Sequence, residues 1–252
     1  MPAKHNLVKW SVISCLLLTC ISAFAKKDEH PLQTNRYVFG LDLGTSLIRN
    51  LGNATSFPLG YSTFSYTPNQ HREQPLRFGA SLRKTINFLS LDAVQVGISY
   101  HHITKMSVHG ALEQGMFPPF SQFNYSYSMT SSQLLAEAKL LRQWYKIFYP
   151  YLIGGIGVGF NKAMNYATTV PDYLTLTPWY SNNARISLSY SVGLGIDLLK
   201  SQSLSIGLGY RFSDLGQVRL GDGRIRSRET PSSPGQSHLY QNTVLIELSC
   251  FV

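Results

Sequence analysis

Cysteine is scarce in this chain of 252 residues, with only Cys15, Cys20 and Cys250. Two of the three fall within residues 1–25, which read as a secretory signal peptide. Lys4 and Lys9 give a basic start, Val12 to Ile21 an apolar centre, and Ala23-Phe24-Ala25 a small-x-small cleavage site. The apolar run is short for a spanning helix. Thr19 is a poor residue ahead of Cys20, and Cys15 has too little apolar segment before it, so lipoprotein processing is disfavoured. Cleavage near Ala25 leaves Cys250 alone, which excludes an intramolecular disulfide even in an oxidising compartment.

Long apolar runs are also missing. After residue 25 no stretch is apolar enough for a helical span, so a place in a membrane would have to be reached with strands. Acidic residues are in short supply, at 13 Asp and Glu against 22 Lys and Arg, for a formal charge of +9. Losing the signal removes Lys4 and Lys9 and no acid, which makes it +7. Such a balance suits anionic partners, and it suits loop solubility equally well. The histidines are scattered without metal-ligand spacing. The run Gly155-Ile156-Gly157-Val158-Gly159 leads into no helix start, which sets aside a phosphate loop; its glycines would make room for bulky neighbours. No cofactor, metal or nucleic-acid partner is indicated.

What the chain does have is alternation. Ile186–Phe212 reads ISLSYSVGLGIDLLKSQSLSIGLGYRF. Ile186, Leu188, Tyr190, Val192, Leu194, Ile196 and Leu198 share one face, and Ser187, Ser189, Ser191, Gly193, Gly195 and Asp197 the other. After Lys200-Ser201-Gln202 the rhythm resumes at Leu204, Ile206, Leu208, Tyr210 and Phe212. A period of two across a short polar turn predicts an antiparallel hairpin. The small Ser/Gly face suits a cramped interior and the unbroken apolar face suits lipid, the signature of a transmembrane β-barrel.

Taken in order, a polar lead-in at 26–36 precedes strands expected at roughly 37–47, 76–83, 94–101, within 125–141, and at 150–161. The hairpin then supplies strands six and seven, and 239–252 strand eight. The segments 48–74, 104–123, 162–183 and 214–237 read as long loops, and the intervening connections, near 85–90, 142–149 and 200–202, are short. Long and short connections alternating along the chain are what an up-and-down barrel with both termini on the periplasmic side requires. The predicted fold class is all-β, an eight-stranded antiparallel up-and-down transmembrane β-barrel over 37–252. Aromatic residues collect at both strand ends: Tyr37, Phe39, Trp144, Tyr145, Phe148, Tyr149 and Tyr151 at one, and Tyr100, Phe160, Tyr210, Phe212 and Tyr240 at the other, as interfacial girdles would.

On Tyr37–Gly44 (YVFGLDLG), Phe148–Gly159 (FYPYLIGGIGVG), Ser191–Leu199 (SVGLGIDLL), Leu204–Phe212 (LSIGLGYRF) and the terminal strand, the chain resembles the small eight-stranded outer-membrane barrels of the OmpA-like and opacity-type group. The resemblance implies a place in the outer membrane of a Gram-negative envelope and a structural or adhesin-like role more than an activity. One departure is that Val252 follows Phe251 where such chains usually end on an aromatic residue, so the outward register ends on Val and recognition by the assembly machinery is expected to be weaker.

By this register Asp42, Arg77, Arg83, Glu137, Lys139, Asp197, Arg211 and Glu247 point inward. Four cations against four anions predict a plugged ion-pair network and no open pore, since eight strands enclose a lumen just wide enough for side chains. Outside, Arg219, Arg224, Arg226 and Arg228 form a basic cluster opposed nearby only by Asp222 and Glu229, a candidate anion-binding loop for outer-membrane lipids and lipopolysaccharide, a host glycan or a surface protein. For catalysis the one candidate is His101-His102 with nearby serines. Adjacent residues of a strand face opposite ways and no orienting carboxylate has recognisable spacing, so the expected protein is not an enzyme. A lipid-A-modifying enzyme is the alternative. A soluble lipocalin-like barrel would need the apolar face to line a cavity.

Overall fold

A computed structural model describes residues 35–70, 72–88, 91–115, 122–145, 147–169, 177–201 and 203–252. The expected signal peptide at 1–25, the lead-in up to residue 34 and residues 116–121 of the expected loop at 104–123 lie outside the described residues. Eight long strands carry the fold: β1 (Tyr37–Arg49), β2 (Leu76–Phe88), β3 (Leu91–Gln114), β4 (Gln122–Leu141), β5 (Phe148–Thr169), β6 (Asn183–Ser201), β7 (Leu204–Asp214) and β8 (Tyr240–Phe251). Each pairs antiparallel with its sequence neighbours, and β1 pairs with β8, Asp42 opposite Glu247, so the pairings run round a ring. This is the up-and-down barrel that the alternation predicted.

The apolar face points outward. Leu43, Ile98, Leu152, Ile156, Leu188, Leu194, Leu208 and Ile246 are each more than half exposed, and such residues recur on strands around the ring. A water-soluble protein would not display an encircling apolar belt of this extent. The face that a lipocalin-like barrel would turn to its cavity faces out instead, which overturns that alternative.

The strands are longer than a bilayer needs. β3, β4 and β5 run for 24, 20 and 22 residues, against the ~9–11 that cross a membrane. The surplus rises above the outer girdle, where the sequence reading placed loops at 104–123 and 162–183. The reason is an inversion of pattern. Within the membrane β3 points Gln95, Ser99 and His101 inward and Ile98 and Tyr100 outward. After a register shift between Ile103 and Met106, the inward residues become Met106, Val108 and Leu112, and Ser107, His109 and Glu113 take the other face. β4 does likewise, with Phe123, Tyr125, Tyr127 and Met129 buried above the membrane and a register shift between Ser126 and Ser128. Above the girdle the medium is water, so the apolar side must turn in.

The expected loop at 48–74 is also structured. Thr55–Leu59 and Ser62–Pro68 form a hairpin whose second strand pairs with the raised end of β3, Tyr66 opposite Leu112. Pro58 on its outer strand withholds an N–H from the exposed sheet edge, which discourages edge-to-edge pairing. Hairpin, raised strands and last loop together enclose a second apolar core, with Phe57, Phe64, Tyr66, Tyr180, Leu215 and Leu239 among its members.

One girdle assignment is corrected. Tyr37, Trp144, Tyr145 and Phe148 are exposed at the periplasmic end, but Tyr149 and Tyr151 are 2% and 5% exposed and turn into the barrel with Ala93, Leu141 and Ile153. Their parity along β5 sets them opposite to Leu152, and a position near the strand end does not override that alternation.

Candidate functional site

The barrel interior is layered. At the periplasmic end lies the apolar plug just named. Above it, Lys139 Nζ sits 2.7 Å from Asp197 Oδ2 and 3.3 Å from Glu247 Oε2, and Arg83 pairs with the other oxygen of Glu247. The Lys139 ammonium also lies 4.0 Å from the centre of the Tyr151 ring, a cation–π contact that ties this layer to the plug. Higher still, Arg211 pairs with Glu137, and Arg77 Nη1 lies 3.5 Å from Asp42 Oδ1. All eight residues expected inside are therefore inside and buried. They fall into two groups, each with two cations and two anions.

His101 joins the upper group. Its Nδ1 is 3.2 Å from Asp42 Oδ2, and its Nε2 is 2.9 Å from Arg211 Nη1 and 3.0 Å from Ser99 Oγ. Nε2 also lies 3.3 Å from Glu137 Oε1, so this nitrogen sits between a guanidinium and a carboxylate, while Nδ1 faces Asp42 without a hydrogen bond. His101 thus stands between the Arg211–Glu137 pair and Asp42. The sequence reading left it out of the network, although its parity with Gln95 and Ser99 was the available signal.

Glycine makes room for these contacts. A Cβ on Gly79 would stand 2.1 Å from His101 Nδ1 and 2.4 Å from Asp42 Oδ2, and one on Gly40 2.7 Å from Arg83 Nη2. Gly155 likewise leaves space for Glu137, with a Cβ 2.8 Å from its Cγ, whereas Gly157 lets backbones approach, its Cβ falling 2.0 Å from the Leu134 carbonyl.

A layer of uncharged polar groups follows, including Ser46 Oγ to Thr243 Oγ1 at 3.0 Å and Ser131 donating to Asn161 Oδ1 at 2.6 Å. The extracellular aromatic core lies beyond. Tyr66 meets Tyr125 and Tyr180 edge-on, with ring centres at 5.1 and 5.9 Å, and its hydroxyl lies 3.3 Å from that of Tyr166. Burial raises the pKa of Tyr66, Tyr125, Tyr127 and Tyr166, and pushes Tyr180 up to about 12.

The four loop arginines are exposed but do not form one cluster. Arg224 and Arg228 share a small ribbon, Gly223–Ile225 paired with Arg228–Glu229, and Arg226 sits at its turn with φ of 54°. Arg224 pairs with Glu229 at 3.3 Å in an exposed contact, of a kind that adds little stability. Arg219 belongs to a separate ribbon, opposite Gly235, and lines a polar cavity that sequence spacing gave no sign of.

His102 faces outward, its Nδ1 2.8 Å from Ser132 Oγ, with the Tyr100 hydroxyl 3.1 Å from the same oxygen. A serine and an imidazole are therefore in hydrogen-bond contact near the outer girdle. Among the described residues no group of three or more His, Cys, Asp or Glu is arranged to hold a metal ion.

No protein-family model matches the chain, and no curated protein matches it in sequence. Several solved structures are similar in shape. The outer membrane protease OmpT from Escherichia coli aligns over 90% of this chain and 99% of its own, with a TM-score of 0.50 at 7% identity. OprG from Pseudomonas aeruginosa aligns over 86% and 98%, at 0.48 and 10%, and Neisserial surface protein A over 85% and 96%, at 0.42 and 11%. At these identities the likeness is one of fold. The encircling apolar belt, on the fold shared with OmpT, makes the chain an integral outer-membrane β-barrel.

Proposed function

We propose that the protein is a closed outer-membrane carrier for a folded basic cap, and that the cap contacts anionic partners at the cell surface: lipopolysaccharide, a host glycan or an acidic surface protein. The observation that carries this reading is the placement of charge. The eight buried ions cancel, so the formal +7 left after loss of the signal lies outside the lumen, and on the last loop Arg219, Arg224, Arg226 and Arg228 outnumber Asp214, Asp222 and Glu229. Arg219, Arg224, Arg226 and Arg228 are exposed on the last loop, Arg224 in an ion pair with Glu229, and exposed guanidinium groups engage phosphate or sulfate in bidentate fashion.

The test is chromatography of the folded protein on immobilised lipopolysaccharide and on heparin. Replacing the four arginines with Gln is expected to move elution to lower salt on at least one column, because the interaction is screened. Unchanged elution on both would overturn the reading. Export through residues 1–25 belongs to the same proposal, and N-terminal sequencing of membrane-extracted protein is expected to begin near Lys26.

A second reading, modification of outer-leaflet lipid, is favoured by the contact between Ser132 and His102 alone. Mass spectrometry of lipid A from cells with and without the gene tests it; identical acylation patterns remove it.

A further inference from the structure

The last loop and the entry to β6 meet in a structure that neither the barrel nor the arginine ribbon explains. Ser181, Asn182 and Arg185 on one side, and Arg219, Asp222 and Ser232 on the other, line a cavity of about 520 Å³, within the size range of small-molecule sites. Backbone bonds fix its walls: Ser181 N–H donates to Asp222 O at 3.1 Å and Gly221 N–H to Ser181 O at 3.0 Å. Side chains add to them, with Asn183 Nδ2 donating to Arg219 O at 3.2 Å and Ser233 Oγ to Leu220 O at 2.8 Å. A Cβ on Gly221 would lie 2.3 Å from Ser181 Oγ, so glycine is what lets the two loops close on each other.

The chemistry of the lining narrows the occupant. Hydroxyls and amides dominate, which disfavours an apolar ligand. Ser232 Oγ is buried without a hydrogen-bond partner, and an orphaned buried hydroxyl carries a desolvation cost that a ligand would relieve. Two arginines, Arg185 on β6, which also donates to Gln217 Oε1, and Arg219 on the last loop, line it with a single carboxylate, Asp222. Trp179, two residues before Ser181 in the chain, is 61% exposed and pairs across strands with Arg224. An exposed indole offers a flat face for the C–H side of a sugar ring.

The geometry points to a binding site for a sugar bearing a phosphate or sulfate group, held in the cavity between the entry to β6 and the last loop and separate from the ribbon of Arg224, Arg226 and Arg228. The inference rests on the outward display of the cap in the proposed function. Sugar hydroxyls meet Ser181, Asn182 and Ser232, and the anion meets Arg185 and Arg219. A phosphorylated membrane glycolipid and a sulfated host glycan share this chemistry.

The test uses the full chain, folded in zwitterionic lipid nanodiscs, titrated calorimetrically with glucosamine 6-phosphate, glucosamine 6-sulfate and glucosamine. At least one charged sugar is expected to bind on the order of tenfold more tightly than glucosamine, and Arg219→Gln to reduce that affinity by a similar factor. Ser232→Ala, which removes no existing hydrogen bond, is expected to weaken binding with unaltered heat-modifiable migration in electrophoresis. The triple Gln variant at Arg224, Arg226 and Arg228 is expected to bind as the parent does. A preference for phosphate identifies a membrane glycolipid and a preference for sulfate a host glycan, while equal binding supports the shared chemistry. Equal affinity for all three sugars, absence of binding, or indifference to Arg219→Gln would overturn the site. Should the parent protein still be retained on the polyanion columns after such a result, the cavity falls and the basic cap stands; a parent that neither column retains removes the broader reading.

Discussion

His101 and Arg77 show how unevenly a buried network spreads its support. Arg211 reaches both Glu137 and His101 Nε2, whereas Arg77 has one carboxylate oxygen at 3.5 Å and no hydrogen-bond partner for Nε, Nη1 or Nη2. Removing Arg211 strands Glu137 as an uncompensated buried charge, and Arg211→Gln is expected to lower stability by about 3–5 kcal/mol. Arg77→Met is expected to cost distinctly less, because Arg77 meets Asp42 at only 3.5 Å and the buried guanidinium it replaces has no hydrogen-bonded N–H. Urea unfolding from phosphatidylcholine vesicles compares the two; equal losses would contradict the pairing described. Gly79→Ala belongs to the same measurement. Its methyl would collide with His101 and Asp42, and overpacking of this kind costs about 1–3 kcal/mol. The inward set of charges was legible from parity alone, since Asp42, Glu137, Lys139 and Glu247 each occupy the face opposite a run of apolar residues. His101 obeys the same rule, but beside His102 and nearby serines it reads first as a catalytic candidate.

Strands were readable where one rule held along their length and unreadable where the rule changed. β7 alternates apolar-out throughout, and its expected and observed limits nearly coincide. β3 reverses at the register shift between Ile103 and Met106, so a search for apolar-out alternation ends there, and the rest reads as polar loop. The hairpin at 55–68 was hidden by its Ser, Thr and Pro content, although Phe57, Phe64 and Tyr66 alternate toward the core. The cavity beside Arg219 was beyond reach of any local pattern, since it forms only where residues 181–185 meet 219–233. The raised strands make a prediction through their tyrosines. Burial raises the folded pKa of Tyr66, Tyr125, Tyr127, Tyr166 and Tyr180 above the ordinary value of 10. A raised folded pKa means the folded cap holds its protons more tightly than the unfolded chain. The stability this represents is fully present below pH 10 and is lost as the pH climbs, through about 12 for Tyr180. Tyrosinate absorbance is expected to rise in two stages, exposed phenols near 10 and cap phenols later as the cap opens, and Tyr180→Phe is expected to shrink the late stage. A single transition near 10 in protein that keeps its folded migration would contradict the buried core.

At the scale of the molecule, the order of layers decides what can pass. A solute entering from the periplasm meets Tyr149, Tyr151 and Ile153, then two ion-paired tiers, a tier of Ser, Thr, Asn and Gln contacts, and finally the aromatic core under the cap. Eight strands leave an interior that side chains fill, and none of these tiers offers an ion a hydration shell in exchange for its own. The paired charges also hold each other: moving Lys139 out of the way would separate it from two carboxylates and the Tyr151 ring at once. The barrel is thus a filled post beneath its cap, with the net charge left outside the lumen. Purified protein in planar bilayers is expected to show no stepwise conductance, and Tyr151→Ala, which thins only the periplasmic plug, is expected to stay silent because the ion-paired tiers above it remain. Regular conductance steps from the parent protein would mean that the network opens, and the carrier reading would give way to a channel.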